Sequence, residues 1–585
     1  MKKIVVPIVI ALTISFGFAQ STKPVAKPAV KPKPGTTEKA VPAEKTVTPI
    51  APTVPAPKPK PAKEEPRVVM SKPFQEPEFW TKLLLMKSGL TLMFEITDRD
   101  GMKVTTFNEK HAGGIAKPLP LKTVIKKMQY TDVLGVYEIN NQAVVFIQQF
   151  EKPNPQLIRV ILDPKSGKLI SETVIANLPE MNEGDGFAMA FGGVDAPGFD
   201  VVKDNSSDAY SVVTYNSFAS DANQRIELVA YDGSHKETAR AFYNCPKEYT
   251  KLRYLNAYSY GTAFTYMAVY GFNGNESDGD SRIYLARLKN GNNTFKSVEL
   301  EYTDSFDETS CEMSFNKKSG LLNFILCTSI KEKKHDDTRR VIFQPVHPEG
   351  FKLDTAFDLP CSKVKEYAKN KLGYKNDYES LVMDIYLDDD GNYHALLQNT
   401  TIVTKYGKGY STYNLKLDDW GYEVFDNSGN EISGTAFNLH YDCDGINALQ
   451  GGAWFRYRQA KKGFKPADRT LAVGKLKHWY KTIDMIYSSK ANIVLLNDKS
   501  DNFDLPENKK GASVKSMGDV TSMMYHIQSD GTFKKEYLFG NPKDKNDNKF
   551  CNFYASSYNP ETNVYATIMT DEGQDKKTYV VWIKL

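Results

Sequence analysis

This chain lacks the short signatures by which many enzymes declare themselves. No HExxH, GxSxG, Walker-type phosphate loop or GxGxxG occurs in its 585 residues, so the metal, nucleophile and phosphate chemistries those motifs organise are not signalled. The eight His stand singly, with no pair at ligand spacing, and His347 precedes Pro348 at an expected strand end, where it suits a turn or the surface. Six Cys (Cys245, Cys311, Cys327, Cys361, Cys443 and Cys551) form no CxxC and no metal-type pairing. Beyond residues 4–18 no apolar run is long enough to span a bilayer, so the mature chain is expected to carry no membrane span. Helical periodicity is confined to residues 362–372. There Val364, Tyr367, Ala368 and Leu372 fall at i, i+3, i+4 and i+8 before Gly373, which suits a loop insertion with a solvated Lys-rich face.

What is present begins with Lys2 and Lys3, an apolar run over residues 4–18, and the small-residue ending Gly17-Phe18-Ala19. This is the pattern of a secretory signal peptide, residues 1–19, with cleavage expected between Ala19 and Gln20. Pro7 and the small residues favour cleavage over the alternative, a retained anchor. Residues 20–74 read as a disordered Pro/Lys-rich tether. Within 21–66 stand twelve Pro, nine Lys and four Glu but no aromatic residue, so nothing offsets the entropy of ordering. As extended polyproline II it would reach at most about 140 Å. A spacing role and a plain disordered leader both fit.

The tether relocates the charge. The whole chain is +4, whereas residues 21–66 carry +5 and the signal segment +2, leaving about −3 on the remainder. The basic pI is therefore no nucleic-acid footprint on the folded part, and no nucleic-acid partner is expected.

Residues 75–585 are too many for one conventional core, which directs attention to repeats. Aromatics make up 12% of the chain, in β-prone runs split by Gly, Asn, Asp and Ser. Seven such runs recur as the middle strand of a unit: 143–150, 209–216, 264–272, 321–330, 393–402, 492–498 and 564–570. Their starts lie 66, 55, 57, 72, 99 and 72 residues apart. Turns such as Asp232-Gly233, Asn290-Gly291 and Asp530-Gly531 follow most of the next strands. Units of this length cannot bury their faces alone and must stack in a ring. The expectation is an all-β protein with a single β-propeller over 75–585, seven-bladed, with six or eight blades as alternatives. The 99-residue gap would hold an insertion or a degenerate blade near residues 454–457. The segment 90–96 (LTLMFEI) and the final strand would let the termini share a blade. A string of β-sandwich modules competes less well, because no linker-like break follows residue 75.

The unit resembles the periplasmic PD40-type (WD40-like) propeller repeats of exported bacterial proteins. The best copy is residues 554–585, where a turn (559–563), a β-rich strand and a terminal strand follow in that family's order. The family's S-P-D-G-type turn is approximated only at 389–392 and 317–320. The resemblance implies the fold and a habit of binding, and it brings no catalytic residue.

Acidic loops supply the candidate metal ligands: Asp278 and Asp280, Asp388 and Asp390, Asp442 and Asp444. Carboxylates at such spacing can wrap calcium, yet none completes an EF-hand loop, and Asp is also an ordinary turn residue. No other cofactor is expected. Cys311 and Cys327 flank the 317–320 turn and are the candidate disulfide, reduced core thiols being the alternative. With no catalytic residue to name, the reading is a non-enzymatic binding scaffold of the periplasm or cell envelope. Its tethered propeller would present loops to a protein or glycan partner. The alternative is a propeller-fold hydrolase or lyase acting on envelope or extracellular polysaccharide or peptide, with residues from several blades meeting at the central opening.

Overall fold

Short aromatic and β-branched strands cut by Asp, Asn and Gly turns can bury themselves only by stacking small antiparallel sheets. In the computed structural model the chain forms eight of these, closed into one β-propeller. The structure describes residues 67–585 apart from 78–79, 98–100, 125–130, 152–153, 181–196, 275–279, 304–305, 331–337, 376–377, 379, 408–409, 448–482, 489–490, 529–530 and 574. The expected signal peptide, and the expected tether up to residue 66, lie outside the described residues.

Blades 1 to 7 span residues 81–118, 131–177, 198–242, 251–300, 306–358, 381–447 and 483–537. Blade 8 takes three strands from 549–584 and its outermost from Val68–Met70, which pairs antiparallel with the last strand (Val68 with Ile583, Met70 with Val581). The first strand of each blade lies innermost, and neighbouring inner strands pack together around the ring. Between blades sit eight hydrophobic cores, one at each interface among the described residues, including one that joins blade 8 to blade 1 through Leu83, Met93, Ile568 and Trp582. Many small cores in a ring explain how so long a chain folds without one oversized interior.

Tyrosine has a second use besides strand formation, because its hydroxyl reaches from one blade to the next. Tyr266 and Tyr270 of blade 4 donate to Pro348 O and Phe306 O of blade 5, both at 2.5 Å, and Tyr565 of blade 8 donates to Asp484 of blade 7 at 2.7 Å.

The seven middle strands expected from the sequence are the second strands of blades 2 to 8, and the blade count rises from seven to eight. The extra blade is the first, whose second strand, Thr91–Thr97, contains most of the 90–96 segment. Its strands of five, seven, seven and two residues make a weak repeat signal. The termini do share a blade, but through Val68–Met70, so the fold begins inside the stretch assigned to the tether. Part of the 99-residue gap is a long hairpin, Tyr393–Gly407 with Tyr410–Phe425, flanked by Tyr441–Asn447. The degenerate blade expected near 454–457 lies outside the described residues.

The expected helix is α1, Ser362–Asn370, which buries Val364 and Ala368 in the core between blades 5 and 6. Gly434 is what lets it lie so close to blade 6, since a Cβ there would come within 2.4 Å of Val364 N.

The proposed cross-hairpin disulfide is corrected by register. Cys311 stands opposite Leu326 and Cys327 opposite Ser310, so the two side chains leave opposite faces of the hairpin. Cys311 enters the core between blades 4 and 5, and Cys327 the core between blades 5 and 6.

Candidate functional site

The inner strands of blades 3, 4 and 5, Gly198–Lys203, Lys251–Tyr260 and Phe306–Asn316, place four half-buried polar side chains in a row where neighbouring blades meet. Asp200 accepts a 2.7 Å hydrogen bond from the Tyr254 hydroxyl. Asn256 donates to the Glu312 carboxylate at 3.2 Å and to Cys311 O at 2.8 Å. Tyr254 and Asn256 flank a β-bulge in the blade 4 strand, an irregularity that re-aims side chains. The order across three blades is thus carboxylate, phenol, amide, carboxylate.

The electrostatics follow from that placement. Burial, and then the neighbouring Asp200 carboxylate, hold the Tyr254 phenol well above its ordinary range. Tyr137 of blade 2 is raised by the same two causes. Tyr215 stacks on Tyr254 with ring centres 5.7 Å apart and fixes its plane. Asp200 also accepts from Val201 N at 2.9 Å, and a carboxylate oxygen can accept more than one hydrogen bond.

Elsewhere on the inner strands the polar groups also bridge blades. Lys82 of blade 1 donates to Tyr554 O at 3.0 Å and Ser556 O at 2.8 Å of blade 8, and Trp80 donates to the Tyr554 hydroxyl at 2.8 Å.

The acidic loops singled out from the sequence do not converge. Asp278 lies outside the described residues. Asp280 is exposed, bonded to Lys247 and Asn273 at 2.5 Å, and the first of these bonds holds its carboxyl below the usual range. Asp388 closes its own turn, accepting from Asn392 N at 2.8 Å, and it pairs with His394 at 2.9 Å. Burial would raise this carboxyl, but the His394 and Asn392 hydrogen bonds outweigh it and leave the group below its ordinary value. Asp390 is an exposed residue of the same turn, while Asp442 and Asp444 lie in Tyr441–Asn447, their side chains outside the described set. Among the described residues no three His, Cys, Asp or Glu are grouped as metal ligands.

Sequence reading missed the inner row because its members are one repeat apart. Asp200 and Tyr254 are separated by 54 residues, Asn256 and Glu312 by 56, which is the local repeat period. Aligning the units on their first strands, rather than their middle ones, is the signal that would have found them.

A second polar cluster sits at the seam of blades 6 and 7. His440 is 2.9 Å from Asp418 and 3.6 Å from Asp419, and Asp419 also accepts from Tyr374 at 2.9 Å. Burial raises the Asp419 carboxyl. Nearby, Asp498 is 2% exposed, and Lys535 lies 5.5 Å and 5.7 Å from the ring centres of Tyr525 and Phe533.

No family model matches the sequence, and no curated protein matches it. Among solved structures the chain is similar to the polysaccharide lyase Uly1, at 10% identity over 77% of this chain and 90% of that one, with a TM-score of 0.37. It is similar to a post-proline cleaving enzyme from Rickettsia typhi at 9% identity, 83% and 57% coverage and a TM-score of 0.36. A prolyl endopeptidase gives 9%, 85% and 55%, and 0.35. The chain spans little more than half the length of the two peptidases, and the eight-bladed ring rests on its own sheet topology.

Proposed function

We propose that this propeller is a non-enzymatic binding scaffold of the cell envelope, exported, carried on its Pro/Lys-rich tether, and engaging a protein or glycan partner. The resemblance of its repeats to PD40-type exported propellers belongs to the same reading. The observation that carries it is the inner row. Asp200 and Glu312, carboxylates on inner strands, are tied to the neighbouring blade through Tyr254 and Asn256. Fixed carboxylates, a phenol and an amide on the inner strands offer a rigid polar surface for recognition, with little conformational cost on binding. The test is retention of envelope proteins and isolated glycans by the mature chain, compared with an Asp200→Asn/Glu312→Gln variant and with a chain lacking residues 21–66. One specific partner, weakened in the double variant, supports the reading. Turnover of an envelope polysaccharide or peptide by the purified chain overturns it, as does the absence of any specific partner.

A further inference from the structure

Among the described residues the two most exposed large apolar side chains lie on adjoining segments of blades 1 and 2, Ile115 at 80% and Ile170 at 52%. Each is displayed by a local device. Ile115 follows Gly113 and Gly114, at φ 144° and 111°, in the connection between the last two strands of blade 1. A Cβ on Gly113 would meet Thr106 O at 2.4 Å, so the chain runs hard against its own strand there before it turns out at Ile115. Ile170 is the extra residue of a β-bulge. Ile161 pairs with Ser171 and Leu162 with Leu169, which leaves Ile170 unopposed and re-aims it.

The two segments touch. Lys117 Nζ donates to Ser166 O at 3.3 Å, and a Cβ on Gly167 would meet Val104 and Thr106 of blade 1 at 3.1 Å. Glu172 accepts from Lys122 N at 2.8 Å, Thr123 N at 2.7 Å and Val124 N at 3.0 Å. Ile115, Ala116, Pro118, Pro120 and Ile170 are thus exposed apolar residues of one stretch of rim. Lysines surround them. Segments 108–122 and 163–172 hold Lys110, Lys117, Lys122, Lys165 and Lys168, all exposed, against Glu109, Asp163 and Glu172. Two of those three carboxylates are occupied, Glu172 by the backbone donors above and Asp163 by Ser166 N at 2.7 Å and Ser166 Oγ at 2.6 Å. Five lysines against three carboxylates make this rim +2 on a fold of about −3.

We propose that the rim of blades 1 and 2 rests on an anionic phospholipid bilayer, the two isoleucines entering between headgroups and the lysines facing their phosphates. Aliphatic tips ringed by flexible ammonium groups match a fluid, negatively charged surface. The two segments contain no Phe, Tyr or Trp, so they offer a sugar ring no stacking face. This surface is separate from the inner row of blades 3 to 5.

Co-sedimentation of the mature chain with vesicles tests the proposal, using phosphatidylcholine alone and phosphatidylcholine mixed equally with phosphatidylglycerol. The expected result is binding to the mixed vesicles that weakens with salt, and little to the neutral ones. Ile115→Ser/Ile170→Ser should lower the partition coefficient roughly tenfold, and Lys165→Gln/Lys168→Gln by about as much. Both variants keep residues 21–66, so the charge of that stretch contributes equally to every measurement. Should the isoleucine double variant fail to fold, Ile115→Ser alone replaces it, with a roughly threefold loss expected. Equal partition of the natural chain and the isoleucine variant overturns the proposal, as does a natural chain that binds neither vesicle. A dimer in sedimentation that the isoleucine variant dissolves assigns the rim to a second copy and also overturns it. Retention on polygalacturonate that the isoleucine variant loses, with vesicle binding intact, overturns it in favour of an anionic glycan.

Discussion

The indole nitrogen of Trp582, in the last strand, donates a 2.9 Å hydrogen bond to the Thr91 hydroxyl of blade 1, across 491 residues of sequence. Both residues are buried, and Trp582 also lies opposite Val69 in the strand that completes blade 8. One side chain thus spans the two joints at which the ring is closed.

Removing it should be costly. Trp582→Phe leaves the Thr91 hydroxyl without its donor and should lower stability by roughly 1–3 kcal/mol. Trp582→Ala should cost about 3–5 kcal/mol because it also empties part of the core between blades 8 and 1. Urea unfolding at 25 °C measures both, and a loss below about 0.5 kcal/mol for the alanine variant would contradict this account of closure.

Glu423 should make stability fall with alkali. Its carboxylate accepts from Val364 N at 2.6 Å at the start of α1, and burial pushes it up to about 8 from 4.5, those helix donors opposing the shift and Glu431 adding to it. A group raised in the folded state contributes stability that is complete below the unfolded value and lost as pH climbs through the folded one. Between pH 6 and 9 the natural chain should lose about 2 kcal/mol from this residue. Glu423→Gln should flatten that slope, so equal slopes in the two proteins would reject the assignment.

Peptide mapping without reduction should show no fragment linking Cys311 to Cys327. Their registers send them into different cores, and joining them would require the hairpin to slip by one residue. A linked fragment would mean that the hairpin register is wrong.

Gly434→Ala should displace α1. The added methyl meets Val364 N at 2.4 Å and Lys363 C at 2.6 Å, both backbone atoms that cannot swing aside. A loss of roughly 1–3 kcal/mol is expected, with faster hydrogen exchange confined to α1 and its neighbours. An unchanged exchange pattern would show that the helix sits farther from blade 6.

The sequence was clearest where a signal is local. Middle strands such as Phe264–Phe272 are runs of seven to ten consecutive β-prone residues between turns, and seven of them stood out. The strand Val68–Met70 did not, since three residues beside a Pro-rich stretch carry no periodicity, and its identity comes only from pairing with a strand more than 500 residues away. The inner row was hidden for a similar reason. Asp200, Tyr254, Asn256 and Glu312 are unremarkable in their own segments and meet only because blades stack at a fixed interval. Asp388 shows the opposite case: its local acidic character stood out, and its partners Asn392 and His394 use it as a turn lock.

The strand that completes blade 8 is also the first described strand after the Pro/Lys-rich segment. Tension on the chain ahead of Arg67 would therefore meet Arg67's bonds to Lys584 N and Glu536, and then three residue pairs at the outer rim, Val68 with Ile583, Val69 with Trp582 and Met70 with Val581. Under load that clasp would yield from the edge inwards, and the inner strands of the ring would be the last to feel the pull.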